Sequence, residues 1–246
     1  MKRVLAGPNA VSEALRASPG AISLVCLAAG LQPTTARRLG DLTRRVGIEI
    51  ETVQRSFLDR LAKGLVHQGV VALSGDYPYA GVDDLLREAV KLPRPLLVLL
   101  DQVQDPRNLG AVIRSAHALG AAGMVLTRNR SAPVTAAAVR VSAGASELMR
   151  IARVTNLARL IERLDEEGYR VLGADAAAET PVHRAGWEGG PSALVLGNEQ
   201  RGLRRLTRER CHALFSIPLE TGFDSLNVSA AAAIALWEAT RAARRS

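Results

Sequence analysis

The stretch that decides the fold runs Leu96-Leu97-Val98-Leu99-Leu100-Asp101 and on through Asp105-Pro106-Arg107-Asn108-Leu109-Gly110 to Arg114. Five consecutive aliphatic residues with no polar alternation describe a strand covered on both faces, the habit of parallel sheets. The residues after it change character at once. Asp105 is a helix N-cap and Pro106 a first helical residue, because a proline there loses no amide that the helix would have used. Leu109, Val112, Ile113, Ala116 and Leu119 then recur at helical spacing and predict a buried stripe, with Arg107 and Arg114, seven residues apart, on another face.

Downstream the same alternation repeats. Strands are expected at Met124 to Thr127, Arg170 to Ala174, Ala193 to Leu196 and Ala213 to Ile217, with helices between them. This half, residues 95–246, reads as a layered α/β domain. Its last helix carries Trp237 and an alanine run, Ala230 to Ala233, that lets a neighbouring helix or a ligand come close. Upstream, residues 1–73 mix a helix after Asn9, strands at Ala21 to Ala28, Ile48 to Val53 and Gly69 to Leu73, and a helix over Arg37 to Val46, giving a small α/β domain. Residues 74–94, punctuated by Gly75, Pro78, Gly81, Pro93 and Pro95 close by, read as a linker carrying one short amphipathic helix, Val82 to Val90.

Composition narrows the function. Thirty-two Lys and Arg against 24 Asp and Glu give a net charge of +8, which favours a polyanionic partner, nucleic acid before an anionic membrane surface. Nearly all the cations are arginine, with Lys only at positions 2, 63 and 91, a bias that base composition of the gene would also produce. Cys26 and Cys211 stand far apart and form no thiolate metal motif, and the four histidines lack ligand spacing, so no metal site is expected. Pro8, Asn9 and Glu13 interrupt what Met1-Lys2-Arg3 might have begun as an export signal, and no apolar run approaches the ~20 residues of a membrane span; a cytoplasmic protein is expected. No Gly-x-Gly, phosphate-binding P-loop or Gly-x-Ser-x-Gly occurs, which removes dinucleotide, P-loop nucleotide and serine-hydrolase chemistry of the usual kinds.

Two further polar segments follow predicted strands. Gly197-Asn198-Glu199-Gln200-Arg201-Gly202 closes the strand Ala193 to Leu196, where its glycines allow a tight turn and Glu199 would project from the strand's carboxyl end. Ile217-Pro218 leads through Glu220-Thr221-Gly222 to Ser225-Leu226-Asn227-Val228-Ser229, a helix start with free amides and the Ser229 hydroxyl. Taken singly, each is also what an ordinary loop and helix cap would look like, and two arginines on a helix are commonly a solvated face.

Taken in order, the three segments resemble the three motifs of the SpoU/TrmH family, RNA ribose 2'-O-methyltransferases of the SPOUT class, over essentially all of Leu96 to Ser246. The N-terminal part, including Gly7 to Leu15 and Val66-His67-Gln68-Gly69, resembles the ribosomal-protein-like RNA-binding domain of the family's bacterial 23S rRNA guanosine methyltransferases. So do Arg153 to Arg159 and Arg204 to Glu209. The resemblance implies a trefoil-knotted domain, S-adenosylmethionine as cofactor, a homodimer, and RNA as partner, with 23S rRNA and its peptidyl-transferase P-loop as the expected target. It further implies that Asn108, Arg114, Glu199, Asn227 and Ser229 form the catalytic site and that Gly197, Ile217 and Leu226 line the cofactor pocket with backbone groups. A guanidinium stays protonated at physiological pH, so Arg114 is expected to hold a substrate phosphate and the developing oxyanion rather than take the proton itself. A tRNA methyltransferase of the same family, or a non-catalytic RNA-binding assembly factor, are the alternatives. Asn198, Arg201 and the loop Glu220 to Asp224 depart from the family's wording and bear on substrate choice.

Overall fold

A computed structural model describes residues 3–220 and 225–245. Residues 221–224 of the connecting loop, and Met1 and Lys2 of the opening basic run, lie outside the described residues. In chain order the elements are β1 (Arg3–Ala6), α1 (Pro8–Ala17), β2 (Ile22–Ala28), α2 (Pro33–Val46), β3 (Ile50–Val53), α3 (Arg55–Ala62), β4 (Val70–Ser74) and α4 (Val82–Ala89). There follow β5 (Leu96–Leu100), α5 (Pro106–Ala118), β6 (Gly123–Thr127), α6 (Ala136–Val141), α7 (Ala145–Leu148), β7 (Ile151–Val154) and α8 (Leu157–Glu166). The chain ends with β8 (Arg170–Ala174), β9 (Ser192–Leu196), α9 (Arg205–Arg210), β10 (Ala213–Phe215) and α10 (Val228–Arg245). None of the described helices is long and apolar enough to cross a membrane.

Two compact units emerge, Met1–Pro78 with Val134–Leu148, and Tyr79–Pro133 with Met149–Ser246. In the first, a four-stranded sheet is ordered β1-β4-β2-β3, antiparallel except for the β2–β3 pair. Cys26, Ala28 and Val71 of the sheet pack against Leu58 and Ala62 of α3. The segment 134–148 reaches this unit through a bidentate pair, Arg3 Nη1 to Glu147 Oε1 at 3.0 Å and Nη2 to Oε2 at 3.1 Å, both side chains buried. Nothing in the periodicity of the sequence marks 134–148 as a piece apart from its neighbours.

The second unit is a six-stranded sheet ordered β10-β8-β9-β5-β6-β7, parallel throughout. All five residues of β5 are buried, as the unbroken aliphatic run requires. Leu97 and Leu99 face one side with Val125, Val171 and Val195, under Leu157, Leu160, Ile161 and Leu164 of α8. On the other, α5 buries Leu109, Val112, Ile113 and Ala116, and α10 packs on α5 and β9 through Ala232, Ala235 and Leu236. The alanine run thus does what small residues permit.

Three details differ from the sequence reading. The helix of the expected linker 74–94 is part of the second unit's core: Leu85 is fully buried, and a Cβ at Gly123 would lie 2.9 Å from its Cγ. The last strand stops at Phe215 rather than Ile217, because Ser216 pairs instead with Pro181 in an isolated bridge and Pro218 has no amide to donate. Strands Arg3–Ala6 and Ile151–Val154 and helix Arg55–Ala62 were not anticipated; each is short, and two are interrupted by charge.

Candidate active site

The sheet order fixes where a ligand can go. The chain starts in the middle at β5, moves outward through β6 to β7, and returns on the other side, where β9 inserts between β8 and β5. The order therefore reverses between β5 and β9, and in open parallel sheets the crevice beyond the strand carboxyl ends at that reversal is the binding place. The two loops that leave it are stitched together. Asp101 N donates to Leu196 O at 2.8 Å, and the Asn198 carboxamide donates to Gln102 O at 2.8 Å.

The predicted start of α5 is observed: Asp105 Oδ1 accepts from Arg107 N at 2.7 Å, and Pro106 is the first helical residue. This cap aims Asn108 back across the crevice. Its Nδ2 donates to Glu199 Oε1 at 3.0 Å, while its Oδ1 accepts from Asn227 Nδ2 at 3.0 Å. Asn227 Oδ1 in turn accepts from Ser229 N at 2.8 Å and Ser229 Oγ at 2.7 Å. Glu199, Asn108, Asn227 and Ser229, drawn from three distant segments, thus form one continuous hydrogen-bonded line. The orientation of both carboxamides follows, since a carboxylate can only accept and so fixes the Asn108 amide toward it.

The backbone amides of Gln104 and Asp105 point at the same carboxylate at 3.4 Å, and Asn198 Nδ2 reaches it at 3.3 Å. Glu199 lies on an exposed rim. Arg114 lies six residues along α5 from Asn108, exposed, its side chain without a hydrogen bond or ion pair among the described residues. Its charge is available. The cluster therefore brings four of the five expected catalytic residues into contact and leaves the fifth, Arg114, on the same helix but outside their network.

Beside the cluster lies a cavity of about 520 Å³, lined by Gly197, Glu199, Ile217 and Leu226, with Leu196, Phe215 and Val228 supplying apolar wall. All three residues expected from backbone contacts to a cofactor line it. Gly197 is there because nothing else fits: a Cβ would lie 2.2 Å from the Gly202 carbonyl carbon, where the loop folds back on itself through the Asn198–Gly202 pair. A cavity of this volume, lined by both apolar side chains and the Glu199 carboxylate, suits a small organic ligand with apolar and polar parts.

Two supports were not foreseen. Asp101, directly after the five aliphatic residues, is fully buried and accepts from Arg204 N at 3.1 Å and Arg204 Nε at 2.6 Å, tying the end of β5 to the loop after Gly202. Asn198, noted only as a departure from pattern, also accepts from Gln200 N and Arg201 N, shaping the Glu199 turn. A charged residue ending an all-apolar strand was the available signal for the first. Burial and then the Asp101 carboxylate push the nearby Cys211 thiol up to about 12, which disfavours its thiolate at neutral pH.

The chain matches known proteins over both units. Residues 95–237 match the SpoU rRNA Methylase family, and residues 4–80 match the family described as RNA 2'-O ribose methyltransferase substrate binding. An uncharacterized tRNA/rRNA methyltransferase of Mycolicibacterium gilvum is 42% identical over 99% of this chain and 77% of its own length. A Bacillus subtilis protein named for the TrmH family of tRNA/rRNA methyltransferases is 38% identical over 96% and 94%. Among solved structures, the AdoMet-bound rRNA methyltransferase from Sinorhizobium meliloti superposes with TM-score 0.82 at 27% identity over 98% of this chain and 87% of that one. The SpoU methyltransferase AviRb from Streptomyces viridochromogenes, in complex with AdoMet, gives 0.81 at 26% identity over 100% and 91%.

Proposed function

The chain belongs to the SpoU methylase family and is an S-adenosylmethionine-dependent RNA methyltransferase; on that footing we propose that it methylates a ribose 2'-hydroxyl, in 23S rRNA, at a guanosine of the peptidyl-transferase P-loop. The observation that carries the reading is the line Glu199–Asn108–Asn227–Ser229 at the rim of the cavity, with an unpartnered arginine on the same helix. Bound S-adenosylmethionine supplies an electrophilic methyl group on a cationic sulfur. Everything else falls to the protein's own groups.

In this reading Gly197, Ile217 and Leu226, which line the cavity, hold the cofactor through backbone groups. Glu199 has two tasks: it locks Asn108, and its charge favours a cation nearby. A ribose hydroxyl attacks only as its proton leaves, so the site must orient it in line and stabilise the oxygen that becomes negative. Asn108, Asn227 and Ser229 orient the ribose; Arg114 anchors the adjoining phosphate and stabilises the developing oxyanion. Residues 1–73 serve as the RNA substrate-binding part, residues 74–94 join it to the catalytic part 95–246, and the family's trefoil knot belongs to the same proposal. So do the cytoplasmic location and the homodimer, the latter supported by Ile234 and Trp237, which lie exposed on one face of α10.

The test is transfer of labelled methyl to separated 23S rRNA and tRNA from cells lacking this protein, followed by mapping of the modified ribose. One labelled 23S guanosine is the expected result. Label in tRNA alone would replace the substrate and keep the reaction; label on a base would overturn the 2'-hydroxyl assignment.

A further inference from the structure

Many of the described arginines sit beside a carboxylate. Arg16, Arg44, Arg87, Arg163, Arg205 and Arg210 each have one at 2.9 Å or less. At the carboxyl edge of the parallel sheet, next to the crevice, stands a group of arginines without such partners. Arg128 and Arg130 follow β6, both exposed, and among the described residues neither forms an ion pair. Arg153, in β7, also lacks a carboxylate: its Nη2 donates to the Arg128 carbonyl at 3.0 Å, and its guanidinium lies 5.0 Å from the centre of the Tyr79 ring.

These residues are held in position. Arg128 N donates to Val154 O at 2.7 Å, Gln102 N donates to Thr127 Oγ1 at 3.1 Å, and Ala132 N donates to Val103 O at 2.8 Å. The loop that carries the arginines is thereby fastened to residues 101–103, which lead into Asp105 and Asn108. Arg130 has φ +56°, in the left-handed region that a long side chain seldom occupies. A loop kept in that conformation presents its side chain at the cost of backbone comfort. The strands that carry these arginines, β6 and β7, lie about 5 and about 10 Å from β5, on the side away from the strands that line the cavity.

We propose that Arg128, Arg130 and Arg153 form a phosphate track for the single-stranded RNA flanking the methylated nucleotide. Arg128 and Arg130 meet phosphates, and Arg153, clasped between Tyr79 and the Arg128 carbonyl, positions the loop while adding an uncompensated charge. Guanidinium groups kept free of carboxylates retain their full attraction for phosphate, which is what separates this surface from the ion-paired arginines elsewhere. The proposal rests on the crevice being the RNA-methylating site.

The test compares the unsubstituted protein with Arg128→Gln/Arg130→Asn and with Arg87→Gln/Arg205→Gln, which removes the same charge from ion-paired positions. Asparagine suits the left-handed conformation at 130, so the fold is kept. Affinity for unmodified 23S rRNA and tRNA transcripts is measured against salt concentration, alongside methyl transfer. Removing two single-strand phosphate contacts should lower the log–log salt slope by about 1.4 and weaken RNA binding roughly tenfold near physiological salt, with KM for RNA rising more than kcat falls. The Arg87/Arg205 variant should keep the slope of the unsubstituted protein. An unchanged slope in the Arg128/Arg130 variant, or an equal fall in both variants, overturns the track. Methyl transfer by the unsubstituted protein reports separately on the reaction, so loss of the track and loss of the enzyme reading give different results.

Discussion

Asn108 and Glu199, 91 residues apart in the chain, meet through a 3.0 Å hydrogen bond that joins the loops leaving β5 and β9. The carboxylate can only accept, so it sets which end of the Asn108 amide faces Asn227 and, through Asn227, where the Ser229 hydroxyl points. Glu199→Gln keeps the shape and one acceptor for Asn108 but removes the charge and puts an NH2 donor where Oε2 accepts from Gln104 N and Asn198 Nδ2. Hydrogen bonds to charged groups contribute ~1.5–3 kcal/mol, so kcat/KM for methyl transfer should fall by roughly 10- to 100-fold while thermal stability changes little. Activity within twofold of the unsubstituted protein would show that this bond does not orient the site.

Gly197→Ala should damage cofactor binding more than any other single methyl added near the cavity. Its Cβ would come within 2.2 Å of the Gly202 carbonyl carbon, a backbone atom that cannot rotate away. The turn must open, and the cavity wall with it. Calorimetric titration with S-adenosylmethionine is expected to show at least a tenfold loss of affinity, with a lowered Tm; unaltered affinity would mean that the turn tolerates a shift.

The Arg3–Glu147 pair holds 134–148 to β1. Removing one member of a buried pair strands the other, at about 3–5 kcal/mol. Glu147→Ala should therefore lower the denaturant midpoint of the first unit and expose 134–148 to proteolysis. An intact midpoint would assign the pair no structural weight.

Stability should decline in alkali. Burial raises Cys211 to about 12, and burial likewise raises Tyr169, so both stay neutral in the fold at pH values where the unfolded chain ionises. A folded pKa above the unfolded one contributes stability that is full below the unfolded value, near 8.5 for a thiol, and is lost as pH rises toward 12. Denaturant unfolding at pH 8 and 10 should show the drop, smaller in Cys211→Ala. Equal drops in both proteins would locate the alkaline sensitivity elsewhere.

Much of this was legible in the chain before its structure. Leu96 to Leu100 reads directly as a two-face buried strand, and Asp105-Pro106 as a helix start, because both depend on local chemistry. Sheet order is different in kind: no residue of β9 says that it inserts between β8 and β5, although that insertion is what brings Glu199 to Asn108. The segment 134–148 was missed for the same reason, its partner Arg3 being 144 residues away. Short elements such as Ile151–Val154 escape because Arg153 interrupts their apolar pattern, the same residue that the fold then uses at the sheet's edge.

The most direct test concerns Arg114, the one expected catalytic residue that stands outside the hydrogen-bonded line. Arg114→Ala is assayed for single-turnover methyl transfer with saturating RNA and S-adenosylmethionine, with both affinities measured beside it. Transfer reduced by a hundredfold or more, with cofactor affinity kept, is the result expected of an arginine that anchors the phosphate and stabilises the oxyanion. Near-normal transfer would contradict the account, because the ribose oxygen would then develop its charge without the arginine assigned to it.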